Sequence, residues 1–106
     1  NVIVINNNGG GIFSFLPQSN HPKHFELLFG TPVDLDFSHA VQMYGGRYTK
    51  VEDWEHLSQS LEKTKQNACL NVHEFITNRD TNLKEHRKLW SRVSQEIEVW
   101  LKGAAQ

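Results

Sequence analysis

The chain opens as NVIVI and runs without a break into NNNGGG, and that junction constrains the fold more than any other feature. Val2 to Ile5 is a short, uninterrupted β-branched run, the pattern of a strand buried on both faces of a parallel sheet. Six consecutive asparagines and glycines, Asn6 to Gly11, then carry the chain away from it. An ordinary turn needs only one or two such residues. Glycines let the main chain approach a charged group closely and adopt positive φ. Asparagine amides add neutral, hard oxygen donors of the kind Mg²⁺ or Ca²⁺ accepts. The excess predicts a ligand that the backbone touches, with a ligand-free strand-to-helix turn as the plain alternative.

The rest of the chain sets this junction in an alternating pattern. Gly11 to Leu16 opens a short helix that Pro17 ends or kinks. Pro17, Pro22, Gly30 and Pro32 make residues 17–35 irregular, with one helical turn near Phe25 to Phe29. Asp36 caps a helix over 37–44, in which Phe37, Ala40, Val41 and Tyr44 share a face and Gly45 is the stop. Arg47 to Val51 reads as a strand. Asp53 caps a helix over 53–64, with Trp54, Leu57 and Leu61 at i, i+3, i+7. Ala68, Leu70, Val72 and Ile76 alternate along a third strand, 68–76. Leu83, Trp90, Val93, Ile97 and Trp100 or Leu101 mark an amphipathic helix over 82–102.

Strands alternating with helices predict an α/β fold, a parallel sheet with flanking helices. Three strands are few for a parallel sheet that needs both faces covered. Together with an opening residue that is Asn and already in a strand, this gives the expectation that residues 1–106 are the C-terminal piece of a larger protein, with upstream strands and other domains elsewhere.

Composition narrows the partners. A formal net charge of −1 over 106 residues offers no basic footprint for nucleic acid. The apolar runs are too short to span a bilayer, and no signal peptide is visible. A single cysteine, Cys69, cannot form an internal disulfide and suits a reducing compartment. The expectation is a cytoplasmic location.

In an open parallel sheet, ligands sit beyond the carboxyl ends of the strands, where NNNGGG lies. Free N–H groups at a following helix start suit a phosphate. Mg²⁺ characteristically joins one or two carboxylates to ligand phosphates, so a metal–diphosphate site is the sharpest reading. A dinucleotide site is a weaker rival, because Gly9-x-Gly11 begins that fingerprint but Ser14 stands where its third glycine belongs.

The stretch NNNGGGIFSFLP, followed by FELLFGTP and LDFSHAVQMYG, resembles the C-terminal part of the thiamin-diphosphate-binding domain in synthases of the MenD family. The paired asparagines are shared by many thiamin-diphosphate enzymes; GGGIFSFLP with FGTP is the distinguishing part. Motifs are recognisable to about residue 77, and the last helix matches only in placement. The resemblance implies a transferase of menaquinone biosynthesis that decarboxylates 2-oxoglutarate and adds the resulting unit to isochorismate. It implies thiamin diphosphate and Mg²⁺, or Mn²⁺ in its place, as cofactors. By position, Asn7 would give a side-chain oxygen to the metal and Gly9 a carbonyl. Gly10 and Ile12 would border the cofactor, and Ile12, Phe13 and Leu16 would wall the substrate pocket.

The family's upstream Gly-Asp-Gly half of the metal motif is not in this chain. Nor is the activating glutamate, which the family places in another domain of a neighbouring subunit. The chain is therefore expected to hold part of a cofactor site, no catalytic residue and no activity alone. Its implied partners are the remaining domains of the enzyme and further copies in a dimer or tetramer. Two alternatives stand beside this: another thiamin-diphosphate enzyme of the acetolactate synthase kind, and a non-catalytic module binding a phosphorylated ligand.

Other chemistry-bearing residues read as structural. His21 and His24 flank Pro22 without the further ligands zinc needs. His39, His56 and His86 fall on helices as bystanders. His73 and Cys69 read as packing residues, Cys69 lacking the cationic setting of a nucleophile. Ser14 lacks the context of a nucleophile elbow. Phe15 reads as core. Mixed charges from Lys84 to Glu96 mark a solvated helix face, and Trp90 and Trp100 are free to meet another domain or subunit.

Overall fold

The computed structural model describes residues 1–104; Ala105 and Gln106, the end of the expected 1–106 unit, lie outside the described residues. Three strands, β1 (Val2–Asn6), β2 (Arg47–Val51) and β3 (Asn71–Ile76), form one sheet in the order β1-β3-β2. Both pairings are parallel, with Val4 and Lys50 opposite Glu74. The expected α/β class is what the chain adopts.

The helices start where short polar side chains can take up free N–H groups. Asp36 accepts from Ser38 N at 2.9 Å to open α2 (Phe37–Met43), and Asp53 accepts from His56 N at 2.7 Å to open α3 (Trp54–Thr64). The end of α2 is a Schellman turn: Gly46 N donates to Val41 O and Gly45 N to Gln42 O, both at 2.9 Å, with Gly45 at φ 68°. A Cβ at Gly45 would sit in open space, so only its conformation requires glycine there.

Several boundaries differ from expectation. The short helix expected from Gly11 is of the 3-10 type and covers Gly11–Phe15, ending before Pro17. A single α turn, α1 (Pro22–Phe25), is followed by a wide turn over Glu26–Gly30, closed by Thr31 N to Glu26 O at 2.7 Å. The third strand begins at Asn71 rather than residue 68, because the Asn71 amide folds back to Cys69 O at 3.0 Å. Cys69, expected in the core, is exposed in that turn. The last helix, α4 (Arg79–Ala104), starts three residues early because Asn78 Oδ1 caps it by accepting from Thr81 N at 2.9 Å. No helix among the described residues is long and apolar enough to cross a membrane.

The core is small. Phe25, Val41, Val51, Leu57 and Val72 are its buried apolar side chains. β1 does not show the burial on both faces that its sequence suggests: Val2, Ile3 and Ile5 are exposed, since β1 is an edge strand with β3 on one side only. Trp54 and Tyr44, expected on apolar helix faces, are exposed at the ends of α3 and α2, Trp54 keeping one contact, its ring 5.2 Å from Phe75. The stripe Trp90, Val93, Ile97, Trp100 and Leu101 on α4 is exposed as well, apart from the contact that Phe15 makes with Trp90 at 5.9 Å and His86 at 5.4 Å.

Candidate cofactor loop

The loop leaves β1 at the carboxyl end of the sheet, and its three asparagines do three different things. Asn6 Nδ2 donates to Glu74 Oε1 at 2.6 Å, while its Oδ1 accepts from Asn8 N at 2.9 Å. Asn8 reaches across to the segment before α2: its Oδ1 accepts from Val33 N at 3.0 Å and Asp34 N at 2.9 Å, and its Nδ2 donates to Asp34 Oδ1 at 2.7 Å. Asn8 sits at φ 52°, a conformation asparagine tolerates better than most residues. Both side chains use oxygen and nitrogen alike to tie the loop to the rest of the chain.

Asn7 is the uncommitted one. Its Oδ1 accepts a single long hydrogen bond, from Gly9 N at 3.3 Å. That leaves a lone pair on a hard amide oxygen for a cation. A Cβ added at Gly11 would stand 2.8 Å from Asn7 Nδ2, so a glycine there makes room for the Asn7 amide. Asn7 lines a polar cleft of about 640 Å³ with Ser14, Asn78, Arg79 and Arg87 among its other walls.

The other two glycines answer to the protein itself. A Cβ at Gly9 would fall 2.1 Å from Gly30 O, and one at Gly10 would fall 2.5 Å from Phe29 O. Gly10 N donates to Gly30 O at 2.7 Å, so this N–H is bonded within the chain. Gly9 is at φ 138°, and its carbonyl accepts from Gly11 N at 3.1 Å with a second lone pair to spare. The glycine run thus serves close packing of residues 9–10 on residues 29–30 as well as any ligand.

The residues of the expected pocket wall divide by exposure. Ile12 is 72% exposed, whereas Leu16 and Phe13 are 41% and 38% exposed, Phe13 leaning on Phe29 with ring centroids 5.6 Å apart. Between them Ser14 is buried and Phe15 packs on α4, as expected for core. Ile12, Phe13 and Leu16 lie outside the lining of the polar cleft that Asn7 borders. Arg79 pairs with Glu26 at 2.5 Å and packs its Nη1 over Gly30, fixing the start of α4 to the wide turn.

Sequence reading missed Glu74 and Tyr48. Glu74 is 3% exposed in the centre of the sheet, its Oε1 held by Asn6 and its Oε2 by the Tyr48 hydroxyl. Burial, then the Glu74 hydrogen bond and charge, push the Tyr48 phenol up to about 12, so it stays protonated and donates. On the opposite face His73 is fully buried: its Nε2 donates to Asn1 Oδ1 at 3.0 Å and its Nδ1 accepts from Ser60 Oγ at 3.1 Å. Burial pulls its pKa down. The signal for Glu74 was available as an acidic residue inside a strand, between Val72 and Phe75, which the period-two apolar count passed over.

Comparison with known proteins gives the loop a context. Over 102 residues the chain is 48% identical to 2-succinyl-5-enolpyruvyl-6-hydroxy-3-cyclohexene-1-carboxylate synthase of Bacillus cytotoxicus, covering 96% of the chain and 18% of that enzyme. The enzymes of the same name from Geobacillus thermodenitrificans and Listeria monocytogenes are 51% and 39% identical over 100 and 98 residues, 94% and 92% of the chain and 17% of each relative. The chain therefore spans less than a fifth of the length of these relatives. No family model matches it.

Proposed function

From the chain's membership of the 2-succinyl-5-enolpyruvyl-6-hydroxy-3-cyclohexene-1-carboxylate synthase family (the MenD family), we propose that it forms the diphosphate-holding end of such an enzyme. In this reading the complete enzyme is a thiamin-diphosphate-dependent transferase of menaquinone biosynthesis. It decarboxylates 2-oxoglutarate and adds the four-carbon unit to isochorismate, in the cytoplasm. Residues 1–106 are the C-terminal part of its cofactor-binding domain. The remaining domains and further copies of the chain, as a dimer or tetramer, cover the exposed edge of β1 and the apolar stripe of α4. Large exposed apolar patches of this kind mark interaction surfaces.

The donor set fits the implied metal as a partial site. Asn7 Oδ1 and the Gly9 carbonyl are neutral hard oxygens, each with a lone pair left over. Mg²⁺, with Mn²⁺ as a substitute, would be held by these two, by a carboxylate from the upstream motif and by the diphosphate. When bound, thiamin diphosphate supplies the electron sink for decarboxylation; the chain supplies orientation and shielding. Ile12, alone among the wall residues in being mostly free of its own chain, is placed to border both cofactor and substrate. Phe13 and Leu16 extend that apolar wall and keep water from the reacting region. Gly10 contributes by pinning the loop to Gly30 rather than by donating to the diphosphate.

The observation that carries this reading is the division of labour among the asparagines: Asn6 and Asn8 are spent on the backbone, and Asn7 is not. Asn7→Ala in the complete enzyme should weaken thiamin diphosphate and Mg²⁺ together, since the ion is shared with the diphosphate. Calorimetric titration measures both, and unchanged affinities would remove Asn7 from the ligand set. Substrate specificity separates the acetolactate synthase alternative: activity with pyruvate in place of 2-oxoglutarate would favour it.

A further inference from the structure

A buried carboxylate reaches the loop from the middle of the sheet. Glu74 stands on the central strand β3, opposite Val4 and Lys50 in register, and almost no solvent reaches it. Burying a carboxylate is costly unless its oxygens are hydrogen-bonded. Here each oxygen has one donor, Tyr48 Oη on β2 and Asn6 Nδ2 at 2.6 Å on β1. The three strands are thus tied by their side chains at the end from which the loop departs.

The chemistry of the group sets a direction. An ionised carboxylate can only accept, whereas an asparagine amide can present either end. With Glu74 opposite, Asn6 must turn its NH₂ inward, and its Oδ1 therefore points outward to Asn8 N, 2.9 Å away. That bond closes a turn around Asn7, the residue between the two. Tyr48, its phenol held protonated, gives its one O–H to the other oxygen of Glu74. The run Tyr48–Glu74–Asn6–Asn8 fixes the backbone on both sides of Asn7 while leaving the Asn7 amide free.

We propose that Glu74 is a positioning residue for the metal–diphosphate site, acting through Asn6 to set the backbone that presents Asn7 Oδ1 and the Gly9 carbonyl to one cation. The proposal rests on the cofactor reading above. Carboxylates and amides that orient metal ligands without touching the metal typically matter ten- to a hundredfold to its affinity, and that is the range expected here. Glu74→Gln keeps a carbonyl for Asn6 by turning its NH₂ toward the Tyr48 oxygen. Glu74→Met keeps the length and removes both acceptors.

The test is calorimetric titration of Mg²⁺ into the complete enzyme at saturating thiamin diphosphate, with thermal unfolding recorded for every variant. Glu74→Met should weaken Mg²⁺ roughly ten- to a hundredfold, and Glu74→Gln should recover most of the loss. Asn6→Ala should give the same loss as Glu74→Met, and the double variant no more than either alone, since both break one run. Should Glu74→Met fail to fold, Tyr48→Phe takes its place, with a smaller loss that vanishes in the Asn6→Ala background. Glu74 variants that unfold at lower temperature with unchanged Mg²⁺ affinity, or losses that add to those of Asn6→Ala, would overturn the proposal. Asn7→Ala runs beside them: if it too leaves Mg²⁺ unchanged, the cofactor reading has failed; if it weakens Mg²⁺ while Glu74 is silent, only the positioning role has.

Discussion

His73 and Glu74 are neighbours on the central strand, both buried, and they point to opposite faces of the sheet into opposite kinds of setting. His73 is closed in by side chains of α3 and the first residue: Ser60 on one nitrogen and Asn1 on the other, with the Thr64 hydroxyl 2.9 Å from the same Asn1 oxygen. Every contact in that group ends inside the fold. Glu74 is bound by only two donors, but one of them opens into the loop and continues through Asn8 to Asp34. A buried polar cluster that closes on itself can contribute only stability. One that leads to a surface loop also decides where that loop's free groups stand.

Breaking the closed side should cost stability and nothing else. His73→Ala in the complete enzyme removes a fully buried ring and two hydrogen bonds, an expected loss of about 3 kcal/mol, read as a lower denaturant midpoint. Mg²⁺ affinity of the folded protein should not move. A changed affinity would show that the two faces are coupled through β3.

Acid should open the same side. The pKa of His73 is lowered below its ordinary value of 6.5 by burial first. The folded state thus holds the neutral ring and the unfolded chain binds the extra proton. The contribution is present above 6.5 and is lost as pH falls through the depressed value. His73→Gln, which cannot titrate, should flatten the fall in unfolding temperature between pH 6.5 and mildly acid conditions. An unchanged acid limb would assign it to other groups.

Smaller effects sharpen the contrast. Ser60→Ala leaves His73 Nδ1 without its donor and should cost about 1 kcal/mol, again with no effect on Mg²⁺. On the other face the sign reverses with pH. Tyr48 is raised to about 12 from 10.0, so its contribution is complete below pH 10 and lost as pH rises through 12. Tyr48→Phe should remove that alkaline loss, seen as a flatter unfolding profile above pH 10, and an unaltered profile would separate Tyr48 from the Glu74 cluster.

Much of the architecture was legible because it rests on local rules. Asp36 and Asp53 announce helix starts, Gly45 a stop, and the alternation of strand and helix a parallel sheet. The loop was legible as unusual because six asparagines and glycines exceed what a turn requires. What each asparagine does was not, since it depends on Glu74 and Asp34, 68 and 26 residues away in sequence. Likewise, the need for glycine at positions 9 and 10 comes from the main chain of Phe29 and Gly30, a close approach that only the folded chain creates. Asn78, an ordinary-looking residue four positions ahead of the expected helix, went unread as a cap.

The division among the three asparagines can be examined in one structure, the complete enzyme crystallised with thiamin diphosphate and Mn²⁺ and located by the metal's anomalous signal. Asn7 Oδ1 and the Gly9 carbonyl should lie about 2.0–2.2 Å from the metal, the spacing of a small hard cation replaced by its close analogue. Asn6 should keep its bonds to Glu74 and Asn8, and Asn8 its bonds to residues 33 and 34. A metal bound instead by Asn6 or Asn8, or with Asn7 turned away from it, would contradict the account.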